Sequence, residues 1–230
     1  MSSRPDTVIR KTDEFAGATR LEAQGLEWLA AAMPDGGAHV VPVTVGDGWI
    51  EEPRLSTGRV TPGAARAFGR ALAVTHAAGA PAFGAAPPGW DGRTRMRGPR
   101  RRGPHPRGPV DRYVLWVPTA EAASWAPEEA GQGPYGADRG ARSGAGDEVV
   151  GVLIDPMAQG AHAETDLAAL GVFGQPHLEQ IYAGYNEVSA LADGWQERVA
   201  LHQLHMIMIH VYLFGGGYGA HAAALARRYA

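Results

Sequence analysis

"LIDPMAQGAHAETDLAAL", residues 153–170, joins an apolar run to an acidic loop and then to a helix start. The preceding run, "EVVGVLID" at 148–155, is rich in β-branched residues and too short for a typical helix, so it predicts a buried strand. Asp155 ends this strand, Pro156 cannot donate a ladder hydrogen bond, and Thr165 before "DLAALGVF" predicts a helix start. Ligand sites of mixed helix and sheet proteins are common at such strand ends, but a plain surface turn has the same pattern.

The composition is that of an ordinary globular protein. The chain has 230 residues, of which 45% are hydrophobic and 20% charged, and its net charge is -3. This charge gives no electrostatic case for nucleic acid or an anionic membrane as a partner. There is no cysteine, which excludes disulfides and zinc-thiolate sites. Because the first residues lack a signal-peptide core and the apolar run at 206–214 is too short to span a bilayer, we expect a cytoplasmic protein.

One basic residue differs from all the others. The chain has 21 lysines and arginines, and all except Lys11 are arginine. Arginine, alanine, glycine and proline are specified by G/C-rich codons, so this bias reflects the genome more than the chemistry of the protein. A lysine that survives such a bias is a candidate functional residue.

The amino-terminal part predicts the order strand, helix, strand, strand, helix. "TVIRK" at 7–11 is typical of a short strand, and 18–33 has apolar residues at helical spacing with Glu22 near its first turns. "HVVPVTV" and "GWIEEPRL" indicate two strands around a tight turn at 46–48. Thr61 as N-cap and Pro62 at the first helical position predict the next helix.

The middle of the chain has no clear periodicity. Its first part is rich in arginine, proline and glycine and lacks interleaved aromatic residues, so a solvated linker is favoured over a nucleic-acid surface. We expect 93–109 to be irregular, because it has too little apolar area to offset the ordering entropy. Order returns at Glu148, and the rest predicts helices at 165–173, 177–188, about 193–213 and 219–229. Histidines on the core face of the third of these helices, among them His202, are typical of packing residues.

Three of these residues are the parts that a kinase needs, in the expected order. Lys11 on a strand would neutralise phosphate charge, Glu22 in the next helix would hold the lysine, and Asp155 at a strand end would carry magnesium. At this point the sequence resembles the fructosamine (ketosamine) kinases, relatives of the aminoglycoside phosphotransferases. "LIDPMAQGAHAETDLAALGVFG" is similar to the family's aspartate-proline, glycine-x-histidine-x-glutamate-x-aspartate-leucine signature, and "GWQERVALHQLHMIMIHVYLFGGGY" is similar to its carboxyl-terminal helix. The resemblance covers about 1–92 and 148–230.

The resemblance implies an α+β, protein-kinase-like two-lobe fold with a truncated N-lobe and a mainly helical C-lobe. Residues 1–52 would form the partial, nucleotide-binding N-lobe, and 53–92 the hinge and the first C-lobe helix. Residues 93–147 would be an irregular segment, and 148–230 the helical C-lobe. We therefore expect the strand at 149–154 to lie outside the sheet that contains 39–52.

The resemblance also implies an activity and its cofactors. The family transfers the γ-phosphate of ATP, with Mg²⁺, to a sugar hydroxyl of a ketosamine, which is a glycated amine or a glycated protein. The expected partner is thus a ketosamine or other sugar-amine substrate, with no nucleic acid and no membrane.

Carried over residue by residue, the family pattern assigns roles in the nucleotide and metal site. Lys11 would contact phosphate with Glu22 as its partner, and Asp155 would be the magnesium ligand. Glu51 or Glu52 would lie at the hinge, where backbone groups meet adenine. The loop after the strand would be shaped by His162 and Glu164 and anchored by Asp166.

Two features depart from the family pattern. Lys11 is so close to Met1 that we expect the family's first two strands and its glycine-bearing loop over the phosphates to be absent. The catalytic loop, histidine-glycine-aspartate-leucine-tryptophan, is not found before Asp155, and "YGADRGARSGAGDE" stands in its place. Asp138 lies at the distance of the catalytic aspartate, and Ser143 falls where a second metal-binding asparagine would be. One hypothesis is that the codons of 93–147 are read in a shifted frame. A shifted reading of a G/C-rich gene produces a sequence rich in arginine, proline and glycine and without periodicity.

Two other functions remain open at this point. If catalysis requires the missing catalytic loop, the chain is a catalytically impaired kinase-fold remnant with a binding or vestigial role. The other hypothesis is a metal-dependent hydrolase that uses His162, Glu164 and Asp166. It is disfavoured because residues two apart at a helix entry point in different directions.

Overall fold

The computed structural model describes residues 7–90, 114–125, 148–172 and 174–230. Its strands are β1 (Val8–Thr12), β2 (His39–Val40), β3 (Thr44–Gly46), β4 (Trp49–Pro53), β5 (Val114–Pro118) and β6 (Val149–Leu153). Its helices are α1 (Ala18–Ala30), α2 (Pro62–Ala77), α3 (Thr119–Ala123), α4 (Ala163–Val172), α5 (Leu178–Val188), α6 (Trp195–Phe214) and α7 (Tyr218–Ala226). This content confirms the α+β class. The expectations for 93–109, Asp138 and Ser143 fall outside the described residues.

The described strands form two small sheets. In the first sheet β4 lies between β1 and β3, and both pairings are antiparallel. In the second sheet β6 pairs in parallel with β2 and antiparallel with β5. The expectation that 149–154 lies outside the sheet of 39–52 is therefore confirmed for β3 and β4 but wrong for β2.

Burial explains why β2 leaves the sheet of its sequence neighbours. Val40 and Val41 belong to a buried cluster with Val117 and Val152, so this apolar segment gains more from β6 than from the exposed β3. Pro42, which follows, has no N–H to continue a ladder from β2 toward β3. The predicted boundary at residue 52 thus groups β2 with strands to which it does not pair.

An aspartate fixes the turn between β1 and α1. The Asp13 carboxylate accepts hydrogen bonds from Gly17 N at 2.9 Å, Thr19 N at 2.9 Å and Thr19 Oγ1 at 2.6 Å. These bonds satisfy backbone N–H groups at the start of the helix, which have no partner within the helix itself. The turn therefore fixes α1 relative to β1, and with it Glu22 relative to Lys11.

Helices α2 and α5 pack at very short range through two glycines. A Cβ atom added to Gly69 would lie 2.0 Å from the backbone oxygen of Ile181, and one added to Gly184 would lie 2.0 Å from that of Arg66. Both distances are far below van der Waals contact, so only glycine permits this approach. Helix α2 starts as predicted, because the Thr61 side chain accepts a hydrogen bond from Ala64 N at 3.1 Å.

The main core lies between α2, α4, α5 and the second sheet. Its buried members include Phe68, Leu72, Trp116, Leu167 and Ile181. Helices α6 and α7 pack on each other through a smaller cluster of Ala200, Ile207, Ala222 and Leu225. Within the part of the chain that the structure describes, no helix has the length and apolar character needed to cross a bilayer.

Candidate functional site

Lys11 lies at the meeting point of three carboxylates from distant parts of the chain. Its Nζ donates to Glu22 Oε1 at 2.6 Å and to Glu52 Oε1 at 2.8 Å, and it also donates to Asp155 Oδ1. Glu22 is 11 residues from Lys11, Glu52 is 41 and Asp155 is 144. The structure thus brings together the lysine, glutamate and aspartate that the sequence motifs single out, and adds Glu52.

Strand register places Glu52 beside the lysine. In the antiparallel β1–β4 pair, Lys11 lies opposite Ile50 and Ile9 lies opposite Glu52. Side chains two apart on a strand point to one face, and paired residues share a face, so Lys11 and Glu52 are diagonal neighbours.

Asp155 follows β6 in an unusual backbone conformation. Its φ is 47°, in the left-handed region that residues other than glycine rarely adopt. Pro156 comes next and excludes continued strand pairing through its nitrogen. This turn directs the Asp155 carboxylate from the second sheet toward Lys11 on the first.

The cluster changes the proton affinities of its members. Burial alone would lower the pKa of Lys11, but the charges of Asp155, Glu22 and Glu52 outweigh it and raise that pKa above its usual value. Burial raises the pKa of Glu22 to about 7, against the opposing effect of Lys11. Burial also raises the pKa of Glu52. Lys11 is therefore firmly cationic, while the two glutamates hold their protons more readily than exposed ones do.

The carboxylates have the chemistry of a magnesium site. Oxygen atoms of Glu22, Glu52 and Asp155 lie within 4.8 Å of one another, and magnesium takes hard oxygen ligands. The side chain of Asp155 is 33% exposed, whereas that of Glu52 is 7% exposed. Lys11 already supplies a positive charge to all three carboxylates, so an ion would need one of them to turn away, and Asp155 is the most exposed.

Glu51 does not join this cluster. Its Oε1 accepts a hydrogen bond from Arg10 Nε at 2.7 Å, and the Arg10 guanidinium lies 4.1 Å from the centre of the Trp49 ring. Neighbouring residues on a strand point to opposite faces, so Glu51 faces away from Lys11.

A second cluster surrounds Glu164 at the start of α4. Arg198 donates from Nη2 to Oε1 at 2.6 Å and from Nε to Oε2 at 2.8 Å, and His202 Nε2 lies 3.3 Å from Oε2. The His162 ring stacks on His202 with centres 5.3 Å apart, and its Nδ1 accepts from Glu164 N at 3.2 Å. The Glu164 side chain is only 6% exposed, so the cluster ties α4 to α6 through a buried carboxylate.

This second cluster does not support the hydrolase hypothesis. Ligand atoms of His162, Glu164 and His202 lie within 4.8 Å of one another, but Arg198 already supplies the positive charge. The hydrogen bonds from Arg198 lower the pKa of Glu164, as expected for a structural ion pair. Asp166, the third predicted ligand, lies elsewhere.

Asp166 takes part in a third polar contact instead. Its Oδ2 lies 3.1 Å from His76 Nε2, and His76 Nδ1 lies 3.0 Å from the Tyr185 hydroxyl. This chain of contacts links α4, α2 and α5, and the anchoring role of Asp166 that the resemblance implies stays a prediction. No sequence motif predicts the contacts of His76 and Arg198. Glu164 near the start of one helix and Arg198 near the start of another offered no local signal of pairing.

Comparisons with known proteins point to one family. Residues 141–229 match the family model described as fructosamine kinase. A "Probable ketoamine kinase" of Synechocystis is 35% identical over 77 residues, which are 34% of this chain and 26% of the relative. One of Enterococcus faecium is 32% identical over 69 residues, which are 30% of this chain and 24% of the relative. The matches thus span about a quarter of the length of these curated relatives.

Solved structures extend the likeness to most of the chain. A crystal structure of a "putative fructosamine-3-kinase" from Thermobifida fusca has a TM-score of 0.64 and 27% identity, over 96% of this chain and 84% of that one. One from Haemophilus somnus with the same description has a TM-score of 0.61 and 17% identity, over 96% and 82%, and it shows the fold alone. The resemblance that the sequence motifs indicate is confirmed.

Proposed function

The chain resembles the fructosamine kinases in sequence motifs and in fold, and from this premise we propose that it is an ATP-dependent phosphotransferase. The acceptor would be a sugar hydroxyl of a ketosamine, on a small glycated amine or on a glycated protein. The observation that carries the proposal is the contact of one lysine with both Glu22 and Asp155. Phosphoryl transfer needs a cation at the phosphates, a group that holds it and a metal-binding carboxylate, and these three side chains supply them.

Each residue of the cluster has a separate task in this proposal. Lys11 would contact the phosphates, Glu22 would hold the lysine in place, and Asp155 would hold magnesium. A bound magnesium ion would neutralise charge on the β- and γ-phosphates. The backbone near Glu51 and Glu52 would meet adenine, at the end of β4 where the chain leaves the first sheet. Asp138 remains the candidate catalytic aspartate.

The two-lobe arrangement belongs to the same proposal. The first sheet with α1 would form the nucleotide-binding part, and the second sheet with the helices from α2 onward would form the larger part. The Lys11–Asp155 contact, which joins β1 to the residues after β6, would then close the nucleotide site between them. A cytoplasmic location with no nucleic-acid or membrane partner is also part of the proposal, supported by the net charge of -3.

Phosphate transfer to a glycated amine tests the proposal. Purified chain is incubated with labelled ATP, Mg²⁺ and either a fructosamine-bearing small amine or a glycated protein, so that the two acceptor types are separated. We expect transfer that Lys11→Ala and Asp155→Asn abolish and that Glu187→Gln, a charge-matched change on α5, leaves intact.

The absence of the catalytic-loop motif from the sequence favours a second candidate function. A kinase-fold remnant would bind Mg-ATP without transferring phosphate. Nucleotide binding in calorimetry together with no labelled product on either acceptor would favour this remnant over the enzyme. Transfer that survives Lys11→Ala would contradict the assigned site.

A further inference from the structure

Glu52 is one carboxylate more than the proposed roles of the cluster require. Glu22 suffices to hold Lys11, and Asp155 suffices to hold a metal ion. Glu52 nevertheless directs its carboxylate at the lysine, with Oε1 at 2.8 Å from Nζ, and its side chain is only 7% exposed. A buried carboxylate needs a compensating partner, and here that partner is the residue proposed to bind phosphate.

The donors of Lys11 are fully used in this arrangement. An ammonium group has three N–H donors and no acceptor. Glu22, Glu52 and Asp155 each accept from Nζ, so all three donors are engaged. A phosphate oxygen can therefore bind Lys11 directly only after a carboxylate has given up its hydrogen bond.

The three carboxylates differ in how easily they can leave. Asp155 lies on a turn, is one-third exposed, and is the proposed metal ligand, so an arriving ion gives it another partner. Glu22 extends from α1, whose position the Asp13 turn fixes. Glu52 lies inside a paired strand with almost no exposure, so it has no route to water. Glu52 is thus the carboxylate least able to turn away from Lys11.

From this geometry we propose that Glu52 is an affinity-setting residue that competes with nucleotide phosphate for Lys11. The inference rests on the proposed nucleotide site. The carboxylate weakens the contact between Lys11 and phosphate by retaining one donor and by adding negative charge next to the phosphates. It would also make phosphate binding stronger with metal than without, because Asp155 would hold the ion and leave one donor of Lys11 to the phosphate.

Removing the carboxylate of Glu52 tests this inference. Glu52→Gln keeps the size and removes the charge, and Glu52→Met removes both the charge and the hydrogen bond. We expect metal-free ADP to bind the Met variant about tenfold more tightly than the wild-type chain, as one charged hydrogen bond is worth roughly that factor. The Gln variant should show a smaller gain. Isothermal titration in the presence of EDTA gives these affinities, and thermal unfolding verifies that each variant folds.

Three comparisons make the result specific to the contact between Lys11 and phosphate. Adenosine, which has no phosphate, should bind the wild-type and both Glu52 variants equally. Glu187→Gln, which removes a carboxylate that pairs with Arg66 and Arg70 on α2, should leave ADP affinity unchanged. The gain in affinity on adding Mg²⁺ should be smaller in the Glu52 variants than in the wild-type chain.

The outcomes separate failure of this inference from failure of the proposed function. If wild-type chain binds Mg-ATP and neither folded Glu52 variant binds ADP more tightly, Glu52 does not compete and the inference is wrong. An adenosine affinity that changes as much as that of ADP also overturns it, because Glu52 would then act on the base. If neither the wild-type chain nor any folded variant binds ATP or ADP, both the nucleotide site and this inference are wrong. Should one variant fail to fold, the other decides.

Discussion

At the scale of single residues, substitutions of Lys11 and Asp155 should weaken nucleotide binding in different ways. Lys11→Ala removes the phosphate contact and leaves Glu22, Glu52 and Asp155 without their cation, so nucleotide binding should weaken about tenfold or more with Mg²⁺ and should also weaken in EDTA. Asp155→Asn keeps the size and loses the charge that a hard cation requires, so binding should weaken chiefly when Mg²⁺ is present. His162→Ala should change neither affinity strongly, since His162 contacts Glu164 and His202 rather than Lys11.

Calorimetric titration of the three variants with Mg²⁺ alone, and with ATP in Mg²⁺ and in EDTA, separates these effects. Loss of metal binding in His162→Ala together with a silent Asp155→Asn would contradict the assignment and restore the hydrolase hypothesis. Equal losses with and without Mg²⁺ in Asp155→Asn would show that this carboxylate acts through Lys11 and not through a metal ion.

At the scale of secondary-structure elements, the close approach of α2 and α5 predicts a sharp sensitivity to side-chain size. Gly69→Ala would place a methyl group 2.0 Å from the Ile181 backbone oxygen, so the helices must separate. We expect the free energy of unfolding to fall by about 1–3 kcal/mol, as is typical of overpacked sites, measured by urea denaturation. Gly219→Ala on α7 is the control, because an added methyl group there meets no atom within 4 Å. Equal effects of the two changes would show that helix propensity, and not packing, determines the result.

The ion pair between α4 and α6 predicts a dependence of stability on pH. Arg198 lowers the pKa of Glu164 in the folded chain below its ordinary value of 4.5. A group with a depressed folded pKa contributes stability above its unfolded pKa and loses that contribution as pH falls through the folded pKa. Wild-type chain should therefore unfold at a higher temperature than Glu164→Gln at neutral pH, and the difference should shrink as pH falls below about 4.5. A difference that is constant between pH 7 and the acid range would mean that charge on Glu164 contributes nothing.

At the scale of the whole molecule, residues 93–147 separate two parts that resemble the kinase family, and the origin of this segment can be tested. The family model matches 141–229, and the Thermobifida fusca structure aligns with 96% of the chain, yet no histidine-glycine-aspartate loop is present in the sequence. The shifted-frame hypothesis predicts that one alternative frame of codons 93–147 encodes this loop. Sequencing the coding DNA answers the question directly. If neither alternative frame contains the motif, the hypothesis fails and the present segment is the native one.

The shifted-frame hypothesis also predicts the activity of a chain in which codons 93–147 are read in the frame that encodes the loop, called the restored chain. If the frame is shifted, the restored chain should transfer phosphate to a glycated amine at least a hundredfold faster than the present chain, because a positioned general base contributes on the order of 10²–10⁴ to the rate. Equal rates of the two chains would show that the missing loop is not the source of activity.

The sequence by itself determined the local structure and the three principal members of the site. The β-branched run at 148–155, the Thr61 cap and the periodic helices are short-range signals, because strand and helix preferences depend on neighbours a few positions apart. Lys11 is marked by composition and Asp155 by its position at a strand end, whereas their meeting, across 144 residues, is implied by the order of kinase parts and by the family resemblance and by nothing local.

Only the tertiary structure decided which side chains and strands contact one another across the chain. Glu52 turned out to contact Lys11 because strand register sets which face each side chain shares, and a shift of one residue would reverse the roles of Glu51 and Glu52. Arg198 joined Glu164, and β2 joined β6, because a buried carboxylate needs a cation and an apolar strand needs a covered sheet. Such choices depend on burial and on the closure of long loops, which local sequence patterns do not encode.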